Sequence, residues 1–151
     1  MRFYVDTSVW GGFDDKEFSE WTKPFFEQAK LGRFIIVLSD VTLRELEKAP
    51  QIIQQLPESI PAQFLEVVQI TEEQLMLAEK YVKEGALTEK FETDAQHIAI
   101  ASILKVDSLV SWNFKHMVNF FRIRQYNSLN LKHGYSTIDI RTPKEVTYEP
   151  E

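Results

Sequence analysis

The 151-residue chain contains no cysteine. Disulfides and thiolate-bound metal centres are therefore excluded, and the composition suits a reducing, cytoplasmic setting. No apolar run approaches the roughly 20 residues needed to cross a bilayer, so no membrane association is expected. The first residues carry a strand pattern rather than a basic segment followed by an apolar one, and no secretory leader is expected. Neither a G-x-S-x-G elbow nor an H-E-x-x-H pair occurs, which removes the usual serine-hydrolase and zinc-protease signatures. Internal repeats, low-complexity tracts and linkers are also missing. What remains is ordinary globular usage, with 44% hydrophobic and 26% charged residues. A chain of this length buries roughly 70% of its unfolded surface, so one domain over residues 1–151 is expected.

Acidic residues are absent from one long stretch. The chain holds 17 basic and 23 acidic residues, a net charge of −6. Yet Ser108 to Ile138 contains no Asp or Glu, while Lys115, Arg122, Arg124, Lys132, His116 and His133 lie within it. A local positive field on an acidic protein can still guide a polyanion; the alternative is a neutral helix and loop with a few solvated bases.

Short apolar runs alternate with amphipathic stretches. "RFYV" (Arg2–Val5), "RFIIVLS" (Arg33–Ser39), "FLEVVQI" (Phe64–Ile70), "SLVSW" (Ser108–Trp112) and "STIDIRT" read as strands. Helices are expected over the segment ending near Gly32, over "VTLRELEKA" capped by Ser39 or Asp40, and over "QIIQQL". Further helices are expected over "EEQLMLAEKYVKEG" with a Thr71/Gln74 capping box, over "DAQHIAIASILK" with a Thr93/Gln96 box, and over "FKHMVNFFRIRQYNSLN". Such alternation implies an α/β fold with a central, mainly parallel sheet and helices on both faces. Ligands of such sheets bind beyond the carboxyl ends of the strands.

Four oxygen-bearing side chains fall at that edge. Asp6 ends the first strand, Glu45 lies one turn past Val41, Asp94 starts a late helix, and Asn113 ends the fourth strand. Gathered together, three carboxylates repel one another unless a counter-charge is present. A hard divalent cation such as Mg²⁺ is the simplest remedy, and it can hold a phosphodiester for attack by water. Taken singly, each residue also has a bland role as a turn, cap or solvated position. Ser8 is placed to hold a metal-bound water and Thr7 to orient Asp6. His97, three residues after Asp94, could approach the site, but a helix-surface or half-buried position is expected for it; Asp107 is expected at the opposite end of the sheet, and Asp14 and Asp15 in a loop or cap. Trp112, Phe114, Phe120 and Phe121 could stack on bases, but helical spacing assigns most of them to the core.

The stretches "YVDTSVW", "LRELEKA", "TDAQHIAIA", "LVSWNFKHMVN" and "GYSTIDIRTPKEV" together resemble PIN-domain proteins of the VapC toxin type. The resemblance implies a three-layer α/β/α sandwich, commonly dimeric. It implies an Mg²⁺- or Mn²⁺-dependent endoribonuclease, the toxin of a toxin–antitoxin pair. Its catalytic and metal-binding positions match Asp6, Glu45, Asp94 and Asn113, with Asn standing where the family often has Asp. Expected partners are single-stranded RNA, held by Lys115, Arg122 and Arg124, an antitoxin protein and a second copy of the chain. The competing reading is a catalytically weak PIN-like module that binds RNA or protein without cutting. A haloacid-dehalogenase-like phosphatase is disfavoured because position 8 is Ser, and a receiver domain because paired strand-end acids are missing.

Overall fold

A computed structural model of the chain describes residues 1–148. Five strands form one parallel sheet: β1 (Arg2–Val5), β2 (Ile35–Ser39), β3 (Leu65–Val68), β4 (Ser108–Val110) and β5 (Ile140–Arg141). Their spatial order is β3-β2-β1-β4-β5. The central strand, β1, pairs through Tyr4 with Val37 of β2 and Leu109 of β4. Chain direction across the sheet reverses between β1 and β4. This is the switch point where parallel α/β sheets open a crevice at their carboxyl edge.

The helices are α1 (Thr7–Gly12), α2 (Ser19–Lys30), α3 (Asp40–Leu46), α4 (Gln51–Gln54), α5 (Glu72–Lys83), α6 (Glu92–Leu104), α7 (Phe120–Lys132) and α8 (Pro143–Val146). Successive strand residues point to opposite faces, so β1 feeds two cores. Tyr4 joins Val37, Leu109, Leu77, Tyr81, Tyr126 and the inner residues of α6 on one face. Phe3 and Val5 join Val9, Trp10, Phe25, Phe26, Ile36 and Leu38 on the other. Each fully buried aromatic or large aliphatic side chain contributes about 1.5–3 kcal/mol. Helix α6 lies between the sheet and the outer helices, which is why Ala95 and every residue from His97 to Ser102 are buried.

The Thr71/Gln74 capping box forms, and Ser39 caps α3 by accepting from the Thr42 amide at 3.2 Å. Gly32 closes α2 at φ +77°, where a Cβ would strike the Phe64 ring at 2.4 Å. Several expected boundaries shift. Helix α1 starts directly after Asp6. The Thr93/Gln96 box does not form, because a 3-10 turn over Glu89–Phe91 winds the chain earlier and α6 begins at Glu92. Asp94 is thus the third residue of α6, not the first. Residues 114–118 are turns, and α7 begins only after Asn119, whose side chain accepts from the Arg122 amide. The last strand shrinks to Ile140–Arg141, because Thr142 and Glu145 form a capping box that starts α8.

Candidate functional site

Asp6 leaves β1 at the switch point, its amide donating to the Val110 carbonyl of β4 at 3.2 Å. Its side chain is only 3% exposed. Ser8 donates to Oδ1 at 2.6 Å and Ser111 donates to Oδ2 at 2.7 Å. Both serines are themselves pinned: the Trp112 amide donates to Ser8 Oγ at 2.9 Å and the Asn113 amide to Ser111 Oγ at 2.9 Å. The carboxylate is therefore oriented by the segment after β4, and each of its oxygens retains lone pairs. Thr7 does not orient Asp6 as expected. As the first residue of α1 it points toward α3, where its hydroxyl donates to Glu45 Oε1 at 2.5 Å.

Glu45 Oε1 accepts a second hydrogen bond, from His97 Nε2 at 2.6 Å. Among the described residues nothing donates to Glu45 Oε2. His97 is buried rather than surface-exposed, because α6 is enclosed on every side at that level. Its Nδ1 lies 2.6 Å from the Tyr4 hydroxyl, which lies 2.7 Å from Ser39 Oγ. The sequence carried one signal for this: His97 lies three residues after Asp94, nearly one helical turn along the same face.

Asp94 is half-buried and, among the described residues, its only side-chain partner is Asn113, whose Nδ2 approaches Oδ2 at 3.5 Å. Asn113 Oδ1 is already engaged, accepting from the Lys115 and His116 amides at 3.1 and 2.9 Å. Burial raises the Asp94 pKa, opposed by the His97 charge and reinforced by Glu45. Burial also raises Asp6; His97, Ser8 and Ser111 pull against it, and Asp94 pushes it further up. Glu45 moves the other way: burial is outweighed by the bond and charge of His97 and by Thr7, so it sits below the usual range. Burial alone would lower the His97 pKa, but Tyr4, Glu45 and Asp6 raise it to about 10. The His97 ring thus sits among three carboxyl groups, two pushed upward by burial and one held down by His97 itself.

The four expected residues are brought to one edge of the sheet, linked by hydrogen bonds and mutual charge effects. Among the described residues, no three His, Asp or Glu side chains are grouped closely enough to hold a metal ion by themselves. The donor set nevertheless fits a hard cation. Among the described residues Glu45 Oε2 and Asp94 Oδ1 are unpartnered, and Asp6 keeps free lone pairs. Mg²⁺ asks for only one or two carboxylates, completing its shell with waters and phosphate oxygens.

The basic and aromatic expectations divide. Lys115 is exposed beside the site, 5.6 Å from the Phe91 ring centre. Arg124 is exposed over the Phe120 ring on α7. Arg122 is engaged within the fold, its Nη1 donating to the Ala86 carbonyl at 2.6 Å, and Lys132 pairs with Glu84. Asp107 lies at the far end of the sheet, as expected, accepting from the Arg2 amide. Asp15 caps a turn through the Glu17 and Phe18 amides. The aromatic residues are not mainly core: Phe114, Phe120 and Phe121 are 51%, 67% and 75% exposed. The cause is the delayed start of α7, which moves them off its inner face. Trp112 is half-buried and stacks on Phe18 at 4.7 Å.

No family model matches the chain. No curated protein matches it either. Solved structures do. VapC20 of Mycobacterium tuberculosis, a toxin that cleaves the sarcin-ricin loop, superposes with a TM-score of 0.57 at 14% identity, covering 75% of this chain and 91% of that one. VapBC2 of Rickettsia felis, bound to a DNA fragment from its promoter, superposes with a TM-score of 0.59 at 16% identity, covering 94% of this chain and 98% of that one. With five parallel strands in the order 3-2-1-4-5 and helices on both faces, the chain has the VapC-like PIN-domain fold.

Proposed function

We propose that residues 1–151 form one nuclease domain that hydrolyses phosphodiester bonds in single-stranded RNA with Mg²⁺ or Mn²⁺. Asp6, Glu45, Asp94 and Asn113 line its active site. The observation that carries this reading is the pair Asp6 and Asp94. Both stand at the switch point of the sheet: Asp6 has each oxygen held by a serine hydroxyl, Asp94 has Asn113 as its side-chain partner among the described residues, and both keep lone pairs for a cation. When bound, a divalent cation would neutralise charge on the phosphoryl oxygens and make a water more acidic.

The chain's own groups divide the remaining work. Asp6, held on both oxygens, is a fixed point of negative charge. Glu45, kept below the usual range, stays ionised and presents Oε2. Asp94, with no donor on Oδ1 among the described residues, is the one placed to take a proton from the attacking water. Asn113 steadies Asp94, and Lys115 beside it is placed to meet a phosphate. Phosphodiester cleavage is also supported by the sarcin-ricin-loop cleavage carried out by the structural neighbour from M. tuberculosis. The VapBC2 neighbour supports a toxin role with an antitoxin protein as partner; the working form we propose is a homodimer.

The test is digestion of an unstructured RNA with Mn²⁺, with EDTA, and with Mn²⁺ plus Asp6→Asn. Cleavage by the wild-type chain in Mn²⁺ alone is expected. Equal cleavage by Asp6→Asn, or undiminished cleavage in EDTA, would remove the proposal. The neutral Asn113 and the open donor set favour one second reading, a module that binds RNA without cutting it. RNA retained by the wild-type chain but left intact in Mn²⁺ would establish that reading instead.

A further inference from the structure

We infer that His97 is a positioning residue for the carboxylate site, holding Glu45 by one oxygen so that the other is presented to a cation. This rests on the proposed metal site but concerns a residue outside its ligand set. Three observations carry it. First, the two donors that reach Glu45, Thr7 Oγ1 and His97 Nε2, converge on Oε1, leaving Oε2 without a donor among the described residues. A glutamate on a helix has three side-chain torsions; two donors on one oxygen fix its plane and decide which oxygen faces outward.

Second, His97 is itself fixed. Its Nδ1 meets the Tyr4 hydroxyl and Tyr4 meets Ser39 Oγ, the group that caps α3. The network is continuous: Nε2 meets Glu45, Nδ1 meets the Tyr4 hydroxyl, and the Tyr4 hydroxyl meets Ser39 Oγ. The chain ties β1, β2 and α6 to the helix that bears Glu45. Third, these groups are buried apart from the carboxylate end: Tyr4 and Ser39 are fully enclosed, and His97 nearly so. A buried polar network that is fully satisfied is rigid, and partial loss of it is costly. Outer hydrogen bonds of this kind typically change metal affinity by about 10–100-fold.

The test is calorimetric titration of Mn²⁺ into the chain without RNA, with thermal melting as a separate measure of folding. The amide nitrogen of Gln reaches about where imidazole Nε2 does, and that of Asn about where Nδ1 does. His97→Gln should therefore restore the Glu45 bond, and His97→Asn only the Tyr4 bond. Expected results are a loss of Mn²⁺ affinity of about 10–100-fold in His97→Ala and His97→Asn, and most of the wild-type affinity in His97→Gln. A purely structural histidine would affect melting without this Gln/Asn distinction.

Wild-type affinity in folded His97→Ala, or equal affinities in the Gln and Asn variants, would overturn the inference. Should the His97 variants fail to fold, Tyr4→Phe decides: it frees Nδ1 while leaving His97 in place, and undiminished Mn²⁺ affinity there would overturn it too. Failure of the wild-type chain to bind Mn²⁺ at all would instead strike the metal site itself.

Discussion

Gly11 and Gly12 are neighbours in α1, yet substituting each by alanine should have opposite effects. Neither has a positive φ, so alanine fits both backbones. Nothing lies within 4 Å of a Cβ at Gly11, which is exposed. Gly11→Ala should therefore gain the helix preference of alanine, about 0.5–1 kcal/mol. At about 2–4 °C per kcal/mol for a chain of this size, melting should rise by roughly 1–4 °C. A Cβ at Gly12 would lie 2.9 Å from Thr22 Oγ1 and 3.0 Å from Trp112 Cδ1 and Nε1. Those atoms cannot simply part, because Trp112 Nε1 donates to Thr22 Oγ1 at 2.8 Å and Thr22 is fully buried. Overpacking costs about 1–3 kcal/mol and the wedged hydrogen bond about 0.5–1.5 more. Together they outweigh the helix gain, leaving a net loss of about 0.5–4 kcal/mol, or roughly 1–16 °C. The Trp112 amide also anchors Ser8, which anchors Asp6. Paired thermal and urea denaturation of the two variants checks this. If Gly12→Ala melts above wild type, as Gly11→Ala should, the close packing of α1 against Trp112 is wrong.

In EDTA, stability should fall as pH rises from about 6.5 toward 10. The His97 pKa is raised from 6.5 to about 10, so its contribution is fully present below 6.5 and lost as pH rises through 10. Urea denaturation at three pH values would reveal this, and a stability that rises over the interval would contradict it. Lys115→Ala should weaken RNA binding and lower the slope of log K against log salt by about 0.7, the single-strand value per phosphate contact. Arg122→Ala, which strips the Ala86 carbonyl of a charged donor, should instead cost about 1.5–3 kcal/mol of stability. Equal effects of the two on RNA affinity would show that Arg122 is not committed to the fold. Asn113→Asp loses the amide facing Asp94 and adds repulsion, so melting should drop in EDTA and recover in Mn²⁺. A variant indifferent to Mn²⁺ would place residue 113 away from the cation.

The sheet was legible because buried parallel strands read as dense apolar runs, and "RFYV" matches β1 residue for residue. The carboxyl-edge rule then located Asp6 and Asn113 without any knowledge of packing. Boundaries failed where a tertiary contact or an earlier turn overrode a local signal. Thr93 looks like a cap, but the 3-10 turn before it had already begun α6. Phe120 and Phe121 look like core because the helical pattern reads back to Phe114, whereas α7 starts at Phe120 and leaves both outside. His97 departs furthest from its expected place, being buried at the site. Its partners, Tyr4 and Glu45, are 93 and 52 residues away. Only the folded sheet brings them together, so spacing within α6 hinted at proximity to Asp94 and nothing more.

If Asp6, Glu45 and Asp94 share one cation, crystals grown with Mn²⁺ will show it by anomalous scattering. A peak is expected within coordination distance of Asp6 and Asp94, on the side of Glu45 Oε2. A fully occupied Mn²⁺ elsewhere with that crevice empty at saturating metal would contradict it.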